Sequence, residues 1–187
     1  MVHLKEIPKR VIPVLTVDHD KLVKTVKFQK PNYLGDPINA VKVYNEKEVD
    51  EIVLLDITAS TEKREPNYDK IEEICSEAFM PFAYGGGIYQ MDQVDRLFSL
   101  GIEKVILNSC LENANGLVEK IAAKFGSQSI VASLDVKKNL FGSYGVYKFS
   151  GRKRVKADPL SFIEELIEAG IGEIFLNSIE RDGTYKG

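Results

Sequence analysis

The chain has 187 residues, 44% of them hydrophobic, with a formal net charge of −3. That is enough for one domain with a real core, and it gives no general nucleic-acid footprint. No apolar run reaches membrane-span length, and Met1-Val-His-Leu-Lys5 lacks the apolar centre of a secretion signal, so a cytoplasmic protein is expected.

The predicted elements follow one another as short apolar runs and helical patterns. Val11-Ile-Pro-Val-Leu15 opens the strand-like series near 11–16 and stops at Thr16. Asp18 to Gly35, rich in Lys and Asn, is expected to be a long loop. Asp36-Pro37 signals entry to a helix over 36–48. Ile52-Val-Leu-Leu-Asp56 is the second run, and a helix over 67–78 follows. A strand near 80–84 leads through Tyr84-Gly85-Gly86-Gly87-Ile88 into a helix over 91–100, with Asp92 as its entry signal and Gly101 past its end.

Val105-Ile-Leu-Asn108 precedes a helix over 113–124, and Ile130-Val-Ala-Ser-Leu-Asp135 is the fifth run. Asn139 to Lys156 alternates and turns at Ser150-Gly151, which predicts a hairpin. Its basic cluster at 152–156 reads as a solvated flank or as phosphate steering. Asp158-Pro159 opens a helix over 158–169 that stops at Gly170, and Ile174-Phe-Leu-Asn177 is the sixth run. Strands alternating with helices predict a parallel sheet, and its strands are apolar throughout, as burial on both faces requires. Cys75 and Cys110 lack CxxC spacing and read as buried thiols, with neither disulfide nor metal site implied.

Val14-Leu-Thr-Val17 matches Ser133-Leu-Asp-Val136, and Leu55-Asp-Ile-Thr58 falls opposite Leu176-Asn-Ser-Ile179. A repeat at this spacing, with four βα units per half, makes an eight-stranded barrel of roughly 250 residues. The second half here stops after its second strand. Residues 1–187 are therefore expected to be a single domain, a (β/α)8 TIM barrel of half-barrel repeat type covering about six βα units, with the last two missing. Six strands alone would leave the first and sixth as open edges.

In such a barrel the polar residues at strand ends line the rim that carries chemistry. Consecutive glycines between strand and helix let backbone N–H groups close on an oxyanion. Asn108-Ser109 would complete that cradle, although a tight turn also uses glycine. Asp135, at a strand end, is costly to bury without a task or partner. Asp182-Gly183 suits general acid work beside a second phosphate cradle or, more plainly, a turn. Lys24 could reach an anionic ligand or simply be solvated, while His3 and His19 read as incidental. At the opposite strand ends, Arg10, Glu51, Lys104 and Glu173 could form a closed ring of salt bridges across the barrel floor; ordinary solvated charges are the alternative.

Leu54-Leu-Asp-Ile-Thr-Ala-Ser60, Gly85-Gly-Gly-Ile88, Lys104 with Asn108-Ser109, Phe125-Gly-Ser-Gln128 and Ser178-Ile-Glu-Arg-Asp-Gly-Thr184 closely resemble the cyclase subunit of imidazole glycerol phosphate synthase. The resemblance runs from about Lys9 to the last residue. It implies a barrel partnered with a glutaminase, whose ammonia crosses the barrel to a bisphosphorylated ribulosyl substrate. Position by position, it puts Arg10, Glu51, Lys104 and Glu173 at an ammonia gate and Lys24 in the active site. Gly86, Gly87 and Asn108 fall on a first phosphate site, Asp182 and Gly183 on the start of a second, and Asp135 on one of two catalytic aspartates.

The other catalytic aspartate belongs at position 16, where this chain has Thr. A hydroxyl has no useful proton affinity near neutral pH, and losing a positioned acid/base costs about 10²–10⁴-fold in rate. This combination resembles a paralogous branch, the glycosyl amidation-associated proteins, which implies a sugar amidotransferase as a further partner in surface-polysaccharide synthesis. The resemblance implies no cofactor and no metal.

Overall fold

The computed structural model describes residues 9–113, 116–139 and 142–186. In chain order, β1 (Val14–Asp18), β2 (Lys21–Val26) and β3 (Gln29–Gly35) precede α1 (Pro37–Glu46), β4 (Ile52–Asp56), the short α2 (Ala59–Glu62) and α3 (Tyr68–Ser76). Then come β5 (Phe82–Gly85), α4 (Met91–Ser99), β6 (Lys104–Leu107), α5 (Leu117–Phe125), β7 (Ile130–Lys138), β8 (Tyr144–Lys148), β9 (Lys153–Arg154), α6 (Pro159–Ala169) and β10 (Glu173–Ser178). No helix of the described residues is long and apolar enough to cross a membrane.

The six expected strands pair in parallel in the order β1–β4–β5–β6–β7–β10, each next to its predecessor along the chain. Helices between them complete the α/β succession of a (β/α) barrel. Among the described residues no strand pairing joins β1 to β10, so the sheet stays partly open there.

Two sets of side chains alternate along the strands, as the two-residue period demands. Ile52, Leu54, Phe82, Tyr84, Val105, Leu107, Ile130 and Leu134 are 0–2% exposed and belong to the cluster that includes helix residues such as Ile71, Leu97, Ile121 and Leu166. Each such large apolar side chain contributes about 1.5–3 kcal/mol, so this layer dominates stability. The opposite face carries a smaller cluster of Val53, Ala83, Ile106 and Val131, flanked by Ile12, Leu55 and Phe175.

Helix boundaries follow their caps. Asp36 accepts from the Ile38 N–H at 2.8 Å, and Asp158 accepts from Leu160 and Ser161 at 3.1 and 3.4 Å. The entry to α4 differs from expectation. Asp92 lies inside the helix, and the side chain of Gln93 accepts instead from the N–H groups of Tyr89 and Gln90, at 2.8 and 3.2 Å. Cys75 and Cys110 are free and half-buried rather than fully buried; burial pushes both thiols up to about 11, which keeps them protonated.

The segment after β1 corrects the sequence reading. Asp18 to Gly35 is not a loop: β2 pairs antiparallel with β1, and β3 pairs antiparallel with β2. β2 therefore covers the free edge of β1 from Thr16 to Asp18, and the outermost strands are β3, β9 and β10. The hairpin after β7 forms as expected, with β8 pairing β7 and β9 pairing β8.

Candidate active site

One face of the parallel strands is ordered in three layers. At the strand starts, Arg10 reaches Glu51 at 3.1 Å and Glu173 at 2.9 Å, while Lys104 reaches the same two carboxylates at 2.9 and 3.0 Å. The four charges alternate in sign around a closed ring. Burial works against the Glu173 carboxylate, but hydrogen bonds from Lys104 and Arg10 outweigh it and hold its pKa below the usual range. Above the ring lies the apolar cluster of Val53, Ala83, Ile106 and Val131.

At the strand ends the same face turns polar around Asp135, which is only 6% exposed. Asn177 of β10, its register partner, donates to Oδ1 at 3.2 Å. Asn108, just past β6, donates to Oδ2 at 3.1 Å and to the Ser133 carbonyl at 2.8 Å. Burial raises the Asp135 pKa to about 6; the two amides pull against that rise, and the Asp182 carboxylate adds to it. A carboxyl that titrates near neutrality can both take and give a proton, which suits general acid/base work.

The other sequence-predicted residues are placed as follows. Thr16, half-buried on β1, donates its hydroxyl to the Val23 carbonyl at 2.5 Å, across the hairpin. Its proton is thus spent on β2. Asn108 donates both hydrogens of its amide, one to Asp135 and one to the Ser133 carbonyl. Its Oδ1 accepts from Ser109.

Gly86 and Gly87 lie at φ +126° and +69°, pressed against the loop after β4. A Cβ at Gly86 would meet the Asp56 carbonyl at 2.5 Å, one at Gly87 would meet the Arg64 carbonyl at 2.4 Å, and the Gly87 N–H donates to Ser60 Oγ at 3.2 Å. The glycines therefore serve backbone packing in this structure, and the Gly87 donor is engaged.

Asp182 latches the hairpin onto the loop after β10. One of its carboxylate oxygens accepts from Thr25 Oγ1 at 2.8 Å and from the Phe28 N–H at 3.0 Å, and its carbonyl accepts from Lys27. Gly183 permits that approach, since a Cβ there would meet the Thr25 carbonyl at 2.3 Å. Lys24 Nζ contacts the hydroxyl of Tyr185 at 3.0 Å. His19 is not isolated: Nδ1 lies 2.8 Å from Asp18 and Nε2 lies 3.4 Å from Glu62. His3 lies outside the described residues.

Asn177 and Asp56 stand out in the sequence as strand-end polar residues, but their partners do not. Asn177 reads there as a strand end, and only the register beside Asp135 shows its use. Asp56 caps the following turn through the N–H groups of Thr58 and Ala59 and is paired with Arg64 at 3.2 Å. A carboxylate two and three residues ahead of Thr58-Ala59 was the available signal. Among the described residues no cluster of His, Cys, Asp and Glu could hold a metal ion.

The family model described as "Histidine biosynthesis protein" matches residues 10–187. A Pseudomonas aeruginosa protein provisionally named imidazole glycerol phosphate synthase subunit hisF2 is 51% identical over 179 residues, covering 96% of this chain and 71% of that protein. A Vibrio vulnificus protein provisionally named subunit hisF3 of the same synthase is 48% identical, covering 95% and 69%. The imidazole glycerol phosphate synthase subunit HisF of Streptococcus mutans is 38% identical, covering 96% and 71%.

Proposed function

Because the chain belongs to the histidine biosynthesis protein family, we propose that it is an ammonia-using relative of the imidazole glycerol phosphate synthase cyclase subunit, acting on a phosphorylated sugar-type substrate at Asp135. The single observation that carries this reading is the polarity of one sheet face: a closed ring of four charges, an apolar middle, and a buried carboxyl held by two amides at the far end. A small molecule such as ammonia can pass an apolar passage that excludes ions. Arg10, Glu51, Lys104 and Glu173 would gate it, and a glutaminase would supply it from the strand-start side.

At the rim, Asp135 would act as general base or acid, with Asp182 assisting once released from the hairpin. Lys24 would meet the anionic substrate, and Gly86, Gly87 and Gly183 would receive its phosphate groups after the contacts that now engage them rearrange. Asn108 would border the first phosphate while its amide stays on Asp135 and Ser133. The cytoplasm, where phosphorylated sugars are made, is the compartment this chemistry requires.

Thr16 favours a second reading. With one carboxylate replaced, the histidine-pathway cyclization would lose about 10²–10⁴-fold in rate. The chain would then serve as a conduit, passing ammonia from the glutaminase to a separate sugar amidotransferase. The relatives at 51% and 48% identity bear the provisional subunit names, while the one at 38% is named HisF outright.

An assay with an ammonium salt and the bisphosphorylated ribulosyl substrate tests the first reading, and binding to a glutaminase tests the second. The catalytic reading expects measurable turnover with Thr16 in place; turnover only after Thr16→Asp would overturn it. The conduit reading expects a stable complex with a glutaminase whose activity rises on binding, and no such complex would overturn that one.

A further inference from the structure

We infer that Asn177 is a positioning residue: together with Asn108 it clamps both carboxylate oxygens of Asp135 from the two flanking strands and fixes the plane in which that carboxyl meets its substrate. This deepens the reading of Asp135 as the acid or base of the site and rests on it.

Asp135 sits mid-sheet, with β6 on one side and β10 on the other. Each neighbour presents an asparagine at the level of the carboxyl. Asn108 takes Oδ2 and Asn177 takes Oδ1, at 3.1 and 3.2 Å. One donor alone would leave the carboxyl free to rotate about its terminal torsion, which has a broad minimum. Two donors on opposite oxygens remove that freedom.

The clamp is itself held. The amide nitrogen of Asn108 also donates to the Ser133 carbonyl at 2.8 Å, and that of Asn177 also reaches Ser133 Oγ at 3.4 Å. Each amide thus spends one hydrogen on Asp135 and one on Ser133, two residues below it on the same face of β7. That double duty needs two donors on one atom, which asparagine has and serine, threonine or aspartate lacks.

No cation pairs with Asp135 among the described residues. The charge that bears on it is the Asp182 carboxylate across the rim, and its register partner on β8 is Tyr147. The amides are therefore the groups that favour the charged form against burial. Donors that bond the carboxylate more strongly than the acid lower its proton affinity. Without Asn177 the proton affinity should rise about tenfold, the worth of one hydrogen bond to a charged group.

The experiment follows side-chain amide ¹H–¹⁵N signals of Asn108 and Asn177 through pH 4–8 in the full chain. Both should move with a shared midpoint near 6, and the movement should vanish in Asp135→Asn. Amide signals flat across that range would overturn the proposal without any Asn177 variant having to fold. In Asn177→Leu, of similar size, the labelled Asp135 carboxyl should titrate about one pH unit higher; an unchanged midpoint in a folded variant would overturn it equally. Lack of ammonium-dependent turnover by the wild type would count against the catalytic reading alone, because the titrations decide the positioning role without it.

Discussion

A carboxyl buried without a cation is a stability liability, and Asp135 shows its sign. Its folded pKa is about 6, above the roughly 3.9 of an unfolded aspartate, so between those values the folded chain binds more protons. Stability therefore falls as pH rises from about 4 to 6, and above that the charged group costs about 2–3 kcal/mol. Asp135→Asn keeps the shape and removes the charge, although its amide cannot accept from both neighbours. It should stabilise the fold by about 1–2 kcal/mol at pH 7.5 and by little at pH 4. Urea titrations at the two pH values check this, and a loss of stability at pH 7.5 would show that the clamp outweighs burial. Gly86 carries a different constraint: at φ +126° and with the Asp56 carbonyl where a Cβ would go, Gly86→Ala should cost about 1–3 kcal/mol in the same measurement.

At the scale of elements, β4 to β7 were legible because burial on both faces writes them as unbroken apolar runs, and β10 reads the same way although Ile174 and Leu176 are exposed. The helices were legible because Asp36-Pro37 and Asp158-Pro159 carry cap and entry together. The β2–β3 hairpin was not legible, and its turn explains why. Lys27 and Phe28 form a two-residue turn with φ of 55° and 58°, the conformation that asparagine and glycine ordinarily announce. With no such residue the sequence shows no turn, and the polar strands on either side read as loop. Asp182, far along the chain, accepts the Phe28 N–H and holds the turn from outside, a contact that no local pattern can reveal. Lys27 is exposed, so Lys27→Asn should relieve strain and stabilise the hairpin by about 0.5–1 kcal/mol. Asp182→Ala should act the opposite way and speed amide exchange at Thr25 and Phe28. Unchanged exchange there would mean that the latch adds nothing to the hairpin.

On the scale of the whole molecule, Arg10 precedes the first parallel strand and Glu173 begins the sixth, so their contact spans the gap that strand pairing leaves open. Asp182 spans the same gap at the other end. The candidate ring residues were visible in the sequence as charges at strand starts, but closure into a ring depends on sheet curvature, which no local pattern encodes. Its members should differ sharply in weight. The Glu51 side chain is 5% exposed and accepts from both cations, whereas that of Arg10 is 48% exposed. Glu51→Gln leaves Lys104, at 14% exposure, with half its partners in a poorly hydrated place, and should cost about 2–3 kcal/mol. Arg10→Met should cost less than about 1 kcal/mol, since solvent already screens that pair. Adding Lys104→Met to Glu51→Gln removes the stranded ammonium, so the double variant should lose less than the sum of the single losses, with a coupling of about 1 kcal/mol or more. Urea unfolding of the wild type, each single variant and the double variant measures it. Strict additivity would mean that Glu51 and Lys104 store no coupling despite their 2.9 Å contact, and that this side of the ring behaves as ordinary solvated charge.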